Sequence, residues 1–376
     1  MPAVPTSITH AFATLPDPRV ERTKNHLLLD LLTIALCAVV CGADSFVEIE
    51  HFGNAKREWF ATFLALPHGI PSHDTFGRVF AALDPNQFSR CFLDWVRATV
   101  PHPDEQVIAV DGKTARRSHN RSAGKAALHM VSAWASDSGI VLGQVATDDK
   151  SNEITAIPAL LALLRLEGCV VTVDALGCQT AIARQITRQG GDYVLALKAN
   201  HPELHRETAH LFADAHATAF ADYDAVVADT VDGDHGRVEV RRYAILHDSA
   251  TLAYLDPDRE WAGLRAVGMV EAQRRMHGVV TRETRYYLTS LTDAEAFGRA
   301  VRAHWGIENG LHWVLDVAFR EDESRVRAGH AAANFTVLRH LALNLLKAEQ
   351  SVKIGVKAKR LKAGWNESYL LKVLAI

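Results

Sequence analysis

The sequence predicts an α/β protein in which a mixed sheet carries helices on its faces, behind an all-helical N-terminal unit. Three observations predict it. From about residue 105, short apolar runs alternate with helical stretches in the order strand, hairpin, helix, strand, helix, strand, a succession that buries both faces of one sheet. Before residue 100 the apolar pattern is helical and is punctuated by Pro67, Pro71, Pro85 and Pro101. Between about 201 and 290 an acidic helix-like stretch gives way to long alternating segments around Gly-rich turns, which reads as a β-rich insertion.

At 376 residues the chain is long enough for about two to three domains at roughly 150 residues each. Hydrophobic residues at 48% and charged residues at 23% are ordinary for a globular protein. A formal charge of −3 excludes a globally basic nucleic-acid binder, so any DNA contact must come from local clusters. Two clusters exist. The stretch 115–125 carries Arg116, Arg117, Arg121 and Lys125 without an acid, and 347–376 carries seven Lys or Arg against two Glu. Five scattered cysteines without a CxxC pair argue against a disulfide framework and against a thiolate zinc site, which fits a reducing cytoplasm. The N-terminus lacks the build of a signal peptide, and the longest apolar run, Leu27 to Cys41, is interrupted by Asp30 and Thr33 and is too short for a bilayer.

Taken in order, Leu27–Cys41 predicts a buried helix ended by Gly42, and amphipathic stretches follow near 44–65, 72–83 and 86–99. In the second of these Ser72 is a candidate N-cap, with Phe76, Val79 and Phe80 as a buried stripe beside Arg78. A DNA-recognition helix has this look, and so has an ordinary surface helix. VIAVDGK reads as a strand, HMVSAWASDSGIVLGQVATDD as a hairpin around Ser138-Gly139, and ITAIPALLALLRL as a helix with Pro158 near its first turn. CVVTVDALG, QTAIARQITRQ and DYVLALK follow as strand, helix and strand. From Thr292 the chain is helical again up to the basic tail. The implied division is a helical unit over 1–100, a core over 101–347 with its insertion, and a tail over 348–376.

Asp111 and Asp174 share a context: each follows an apolar, β-branched run and precedes a turn. Both carboxylates would stand at strand ends, where open α/β sheets collect ligands, although an aspartate after a strand often does no more than cap a turn. Glu308 lies in RAHWGIENGLHWVLD, where His304, Glu308 and His312 recur every fourth residue and line one helix face. The competing reading packs Trp305, Ile307 and Trp313 into the core and leaves the polar residues in solvent. Three carboxylates are what two Mg²⁺ ions about 4 Å apart require. The 19 histidines show no HExxH or Cys/His zinc spacing. Glu321, Asp322 and Glu323 are rivals to Glu308 as the third acid.

VIAVDGKTARRS, HMVSAW, KSNEITAIP, VTVDALGCQ, DYVLALKANHP and HWGIENGLHWVLDVAFREDESRVRAGHAAANFTVLRHLALNLL resemble the DDE transposases of bacterial insertion sequences, most closely the H-repeat-associated group. The resemblance runs over nearly the whole chain. It implies a ribonuclease H-like core with the insertion between the second and third acids, and an enzyme that cleaves DNA and transfers strands to move an insertion sequence. Asp111, Asp174 and Glu308 would be the catalytic and metal-binding triad, with two Mg²⁺ ions and Mn²⁺ as a substitute. The partners implied are element-end and target DNA and further copies of the chain, with a dimer or larger assembly acting at the nucleoid and neither a membrane nor a small-molecule substrate involved. Related transposases place a Tyr, an Arg and a Lys where this chain has Val301, His304 and Leu315. Lys113, Arg116, Arg117, Arg121, Lys198, Arg302 and His304 are therefore the candidates for DNA contact. A nuclease without strand transfer and a DNA-binding protein that no longer transposes are the alternatives.

Overall fold

The computed structural model describes residues 10–99, 106–119, 124, 126–147, 153–234, 237–276 and 278–375. The N-terminal helices are α1 (Leu28–Val40), α2 (Phe46–Ala55), α3 (His73–Ala82) and α4 (Pro85–Thr99), with a single turn at Arg57–Phe60 after α2. Ser45 and Glu48 close a capping box at α2, and Ser72 Oγ accepts from Thr75 N at α3, so the polar residues that start these helices satisfy the first free N–H groups. Phe76, Val79 and Phe80 are buried and Arg78 is exposed.

Strands β1 (Val107–Thr114), β2 (His129–Ala135) and β3 (Ile140–Thr147) form a meander. They are followed by α5 (Glu153–Leu161), β4 (Val170–Val173), α6 (Thr180–Arg188) and β5 (Asp192–Leu197). Pro158 stands sixth in the described α5, beyond the first turn to which the sequence assigns it. There its ring removes the N–H that would reach back to the Ile154 carbonyl.

The 201–290 segment contains α7 (Pro202–Ala217), β6 (Ala225–Asp234), β7 (Arg237–Leu246), α8 (Ser249–Leu255), β8 (Ala266–Met276) and β9 (Val279–Thr289). Its strands do not form a separate sheet. Among the described residues nine strands make one sheet, ordered β3-β2-β1-β4-β5-β9-β8-β7-β6, with β1, β4 and β5 parallel and β9 joining β5 antiparallel at Val194↔Thr289.

The C-terminal part is α9 (Ala294–Ile307), a wide turn at Glu308–His312, α10 (Trp313–Phe319), α11 (Ala331–Ala348), α12 (Val356–Trp365) and α13 (Glu367–Leu374). α11 is buried from Ala331 through Leu346 and packs with α1, α4 and the last helices in one core that also takes Trp134 and Val141 from the sheet. A second core lies on the opposite sheet face under α5 and α6, and a third joins α9 to the insertion through Phe297, Tyr243 and Tyr287. Polar residues tie α11 in place. Asn344 both accepts from Val141 N and donates to Val141 O, each at 2.9 Å, as a neighbouring strand would. Asn334 donates to Phe80 O and Leu83 O.

The stretch set apart in the sequence as a basic tail is folded, and two of its cations are internal. Lys359 donates to Leu346 O at 2.8 Å. Arg360 donates to Val39 O at 3.0 Å, Ala43 O at 3.1 Å and Ala318 O, and to Asp44 Oδ1 at 2.8 Å.

His340 of α11 is buried against Gln144, and burial pushes its pKa down to about 4. A free histidine titrates near 6.5. Between these values the unfolded chain takes up a proton that the folded chain refuses, so stability falls as pH drops through that window and is flat above it. Lowering the pH from 7 to 5 is expected to cost the wild type about 2 kcal/mol more than His340→Asn. Denaturant titrations of both chains at the two pH values measure this, and equal losses would refute it.

Candidate metal centre

β1 and β4 run parallel with Val110 opposite Val173, which sets Asp174, just past the end of β4, beside Asp111; Asp111 itself lies within β1, paired with Ser132 of β2, and not at the strand end the sequence suggests. Apolar runs on both strands make this placement rigid: Ile108, Val110, Val171 and Val173 are all buried. Asp111 Oδ1 accepts from the N–H of Gly112 at 2.8 Å, and Asp174 Oδ1 accepts from Leu176 N at 3.1 Å and Gly177 N at 3.2 Å. Asp174 thus also does the turn-capping work that an aspartate after a strand commonly does. Asn200 donates to Ala175 O at 2.6 Å, and His201 Nε2 lies 2.6 Å from Cys178 O, so the end of β5 braces the loop after Asp174.

Glu308 arrives from the other side. The helix widens at Glu308–His312, where Trp313 N reaches back five residues to Glu308 O; single wide turns of this kind occur frequently at functional sites. Gly310 permits the fit, since a Cβ there would stand 2.6 Å from Trp134 Cζ2 of β2. Trp305 is 51% exposed and Trp313 61%, while Ile307 is fully buried, so the two indoles are not what packs this helix into the core. His312 is buried and its Nδ1 lies 3.6 Å from Asp111 Oδ2 and 3.6 Å from Glu308 Oε2. Ligand atoms of Asp111, Glu308 and His312 all fall within 4.8 Å of one another.

The electrostatics fit a clustered acid site. Burial pushes the Asp111 pKa up to about 6, against the pull of His312 and with Asp174 and Glu308 adding repulsion. The His312 ring holds Glu308 below the usual carboxylate range. His304, with Nδ1 2.9 Å from Thr172 Oγ1, is lowered by burial despite the attraction of Asp174 and Glu308.

The transposase DDE domain family matches residues 93–345, which include both acid-bearing strands and the Glu308 turn, and a family described as DDE_Tnp_1-associated matches residues 9–96. This chain belongs to the transposase DDE domain family. It is 40% identical over 373 residues to the Escherichia coli O157:H7 protein named "Putative transposase YncI", covering 98% of this chain and 94% of that one. It is 37% identical to "H repeat-associated putative transposase YhhI" of Escherichia coli K12, with 96% of each chain covered. A solved piggyBac transposase synaptic complex with hairpin DNA aligns over 98% of this chain and 77% of its own at 9% identity and a TM-score of 0.41.

In this DDE-family chain the basic candidates divide sharply. Lys113 follows Asp111 on β1, but its Nζ is held by Asp316 at 2.7 Å, Asp322 at 3.3 Å and Glu321 at 3.6 Å. Burial opposes its charge, and Glu321 and Asp316 outweigh burial and raise its pKa. Arg302 pairs with Asp232 of the insertion. Arg116 is exposed, with its Nε 3.1 Å from Asp322 Oδ2 and its backbone N donating to Asp322 Oδ1 at 3.4 Å, Arg117 and Lys198 are exposed, and Arg121 lies outside the described residues. The rival acids are engaged elsewhere: Glu321 is buried against Arg339 and Thr336, Asp322 sits on Lys113 and Arg116, and Glu323 pairs with Arg320.

Behind Asp111 the strand needs a glycine. A Cβ on Gly112 would meet Glu153 Oε1 and His129 Nε2 at 2.4 Å each. Those side chains form a buried pair at 2.5 Å, and His129 Nδ1 lies 2.8 Å from Thr114 Oγ1. Gly112→Ala is expected to destabilise the fold by about 3 kcal/mol, the upper end of ordinary overpacking. Denaturant unfolding measures it, and a change below about 1 kcal/mol would show that the pair yields freely. Sequence reasoning missed this pair, although both members stand in quoted motifs, His129 in HMVSAW and Glu153 in KSNEITAIP.

Proposed function

We propose that the chain is a transposase that cleaves DNA at element ends and joins the freed 3′ end to target DNA. Two divalent ions, Mg²⁺ or Mn²⁺, would be held by Asp111, Asp174 and Glu308. The convergence of Asp111 of β1 with Glu308 from a wide helical turn, with Asp174 just past the end of the neighbouring β4, carries this reading, in a chain of the transposase DDE domain family.

The donor set fits the ions. It offers hard oxygen ligands and partial exposure, and burial, with Asp174 and Glu308 adding repulsion, raises the pKa of Asp111. Bound divalent ions supply Lewis-acid stabilisation of the attacking and leaving oxygens. The chain's residues do the positioning: the Gly112 amide fixes one oxygen of Asp111, the 175–177 turn fixes one of Asp174, and His304 forms the wall between Asp174 and Glu308.

A groove supports DNA as the substrate. It runs between the insertion and α9, is lined by Arg237, Arg241, Arg274 and Arg285 with Glu239 and Glu283, and ends at Trp305 and Asn309 beside Glu308. The guanidinium of Arg285 stacks 5.3 Å from the Trp305 ring. Phosphates can replace the carboxylate partners of these arginines, because a guanidinium binds either anion in the same forked geometry. In this reading the core is ribonuclease H-like and the helices before residue 100 bind element ends. Arg116, Arg117 and Lys198 contact phosphate near the acids, and a dimer or larger assembly holds two ends at the bacterial nucleoid in the cytoplasm.

The test incubates the full chain with Mg²⁺, a supercoiled target and duplexes cut from the boundaries of its own element. Nicked ends together with joined products are expected. Nicked products alone would reduce the activity to hydrolysis, and no cleavage with either Mg²⁺ or Mn²⁺ would overturn the reading.

A further inference from the structure

We propose that His312 Nδ1 is a direct ligand of the ion held between Asp111 and Glu308, giving that position a nitrogen alongside two carboxylates and a preference for Mn²⁺ or Co²⁺ over Mg²⁺. This rests on the reading above that a divalent ion occupies the site, and it adds a ligand that the three-acid triad does not contain.

Three observations carry it. His312 Nδ1 faces Asp111 Oδ2 and Glu308 Oε2 at 3.6 Å from each. At that separation neither contact is a hydrogen bond. Both His312 separations suit ligands of a common centre, since donor atoms each about 2.1 Å from a cation can lie up to about 4.2 Å apart, and the ligand atoms of all three residues lie within 4.8 Å of one another.

The second observation is the ring's isolation. His312 is 5% exposed, and among the described residues its Nε2 is buried without a hydrogen-bond partner. The polar interactions of the imidazole are therefore concentrated at Nδ1, the atom aimed into the site. His304, the other nearby imidazole, has its Nδ1 on Thr172 instead.

The third is the backbone. The wide turn begins at Glu308 and ends at His312, so the two residues bracket one turn laid on Trp134 through Gly310. Asp111 has Glu308 and His312 as cluster partners and Asp174 as its neighbour on β4. An ion held by Asp111, Glu308 and His312 would meet a nitrogen, whereas one held by Asp111 and Asp174 would meet oxygen. Imidazole nitrogen suits the later divalent metals, whereas Mg²⁺ keeps to oxygen and water.

The experiment loads the full chain with Mn²⁺ and records pulsed electron paramagnetic resonance, with natural-abundance and ¹⁵N-labelled histidine. A histidine nitrogen coupled to Mn²⁺ is expected in the wild type and absent in His312→Asn. By calorimetry the ratio of Mn²⁺ to Mg²⁺ affinity is expected to fall about tenfold in that variant. The wild-type spectrum is decisive by itself, so the outcome does not depend on how well the variant folds. Mn²⁺ that is lost in Asp111→Asn but shows no histidine nitrogen would overturn the inference and leave metal-dependent cleavage standing. Coupling that survives His312→Asn and vanishes in His304→Asn would overturn it equally. Mn²⁺ binding that is indifferent to Asp111→Asn would remove both the ligand and the metal-site reading.

Discussion

Asp111→Asn, Asp174→Asn and Glu308→Gln are each expected to lower Mg²⁺-dependent cleavage by about a thousandfold or more, the scale of several kcal/mol of transition-state stabilisation. DNA affinity should stay nearly unchanged, because the arginine groove and the exposed cations are untouched. The three variants should differ in a second respect. Burial, with repulsion from Asp174 and Glu308 added, raises the pKa of Asp111 to about 6, so removing its charge relieves both penalties in the metal-free chain. Asp111→Asn is therefore expected to unfold at a higher temperature than wild type without metal and to lose the stabilisation that Mg²⁺ gives the wild type. Glu308, exposed at the outer edge, should show the loss of activity with little change in stability. Gel-based cleavage, DNA binding and thermal unfolding with and without Mg²⁺ measure all of this. Full cleavage by any one variant would remove that residue from the site.

The second large effect lies far from the acids. Arg360→Ala should destabilise the chain by about 3–5 kcal/mol, the cost of breaking a buried pair from one side. The guanidinium of Arg360 serves three carbonyls and Asp44, and it stacks 4.2 Å over Phe319. Its loss leaves Asp44 half-buried with its principal cation gone; burial already raises the pKa of Asp44 against the pull of Arg360. Because the acceptors belong to α1, the loop before α2 and the end of α10, the variant should also loosen the helix that follows the Glu308 turn. Chemical denaturation gives the first effect and hydrogen exchange at 313–319 the second. A loss under about 1 kcal/mol would mean that this arginine behaves as a surface pair.

Much of the sheet was legible because strand and helix periods differ, and the two aspartates were legible because each closes an apolar run. Glu308 was found by motif and by helical spacing, but the wide turn that presents it was not. A five-residue turn leaves the surrounding apolar pattern almost unchanged, and only Gly310 against Trp134 reveals why the helix opens there. Charges were the least readable. Lys113 looked like a phosphate contact beside Asp111, yet its partner Asp316 lies 203 positions away, and Arg302 is claimed by an acid 70 positions distant. A count of cations along the chain treats each as solvated; burial and long-range pairing, which local sequence does not encode, decide otherwise. The folded tail follows the same logic, since Lys359 and Arg360 act as internal donors to helix-end carbonyls.

The single nine-stranded sheet has a mechanical consequence. Backbone ladders run without interruption from the meander through the acid-bearing strands to the insertion's outermost strand. A ligand that pulls on β6 or β7 therefore acts on a cantilever, not on a hinged flap. Along that order β9 and β5 are all that separates the insertion's outer strands from β4, whose end presents Asp174.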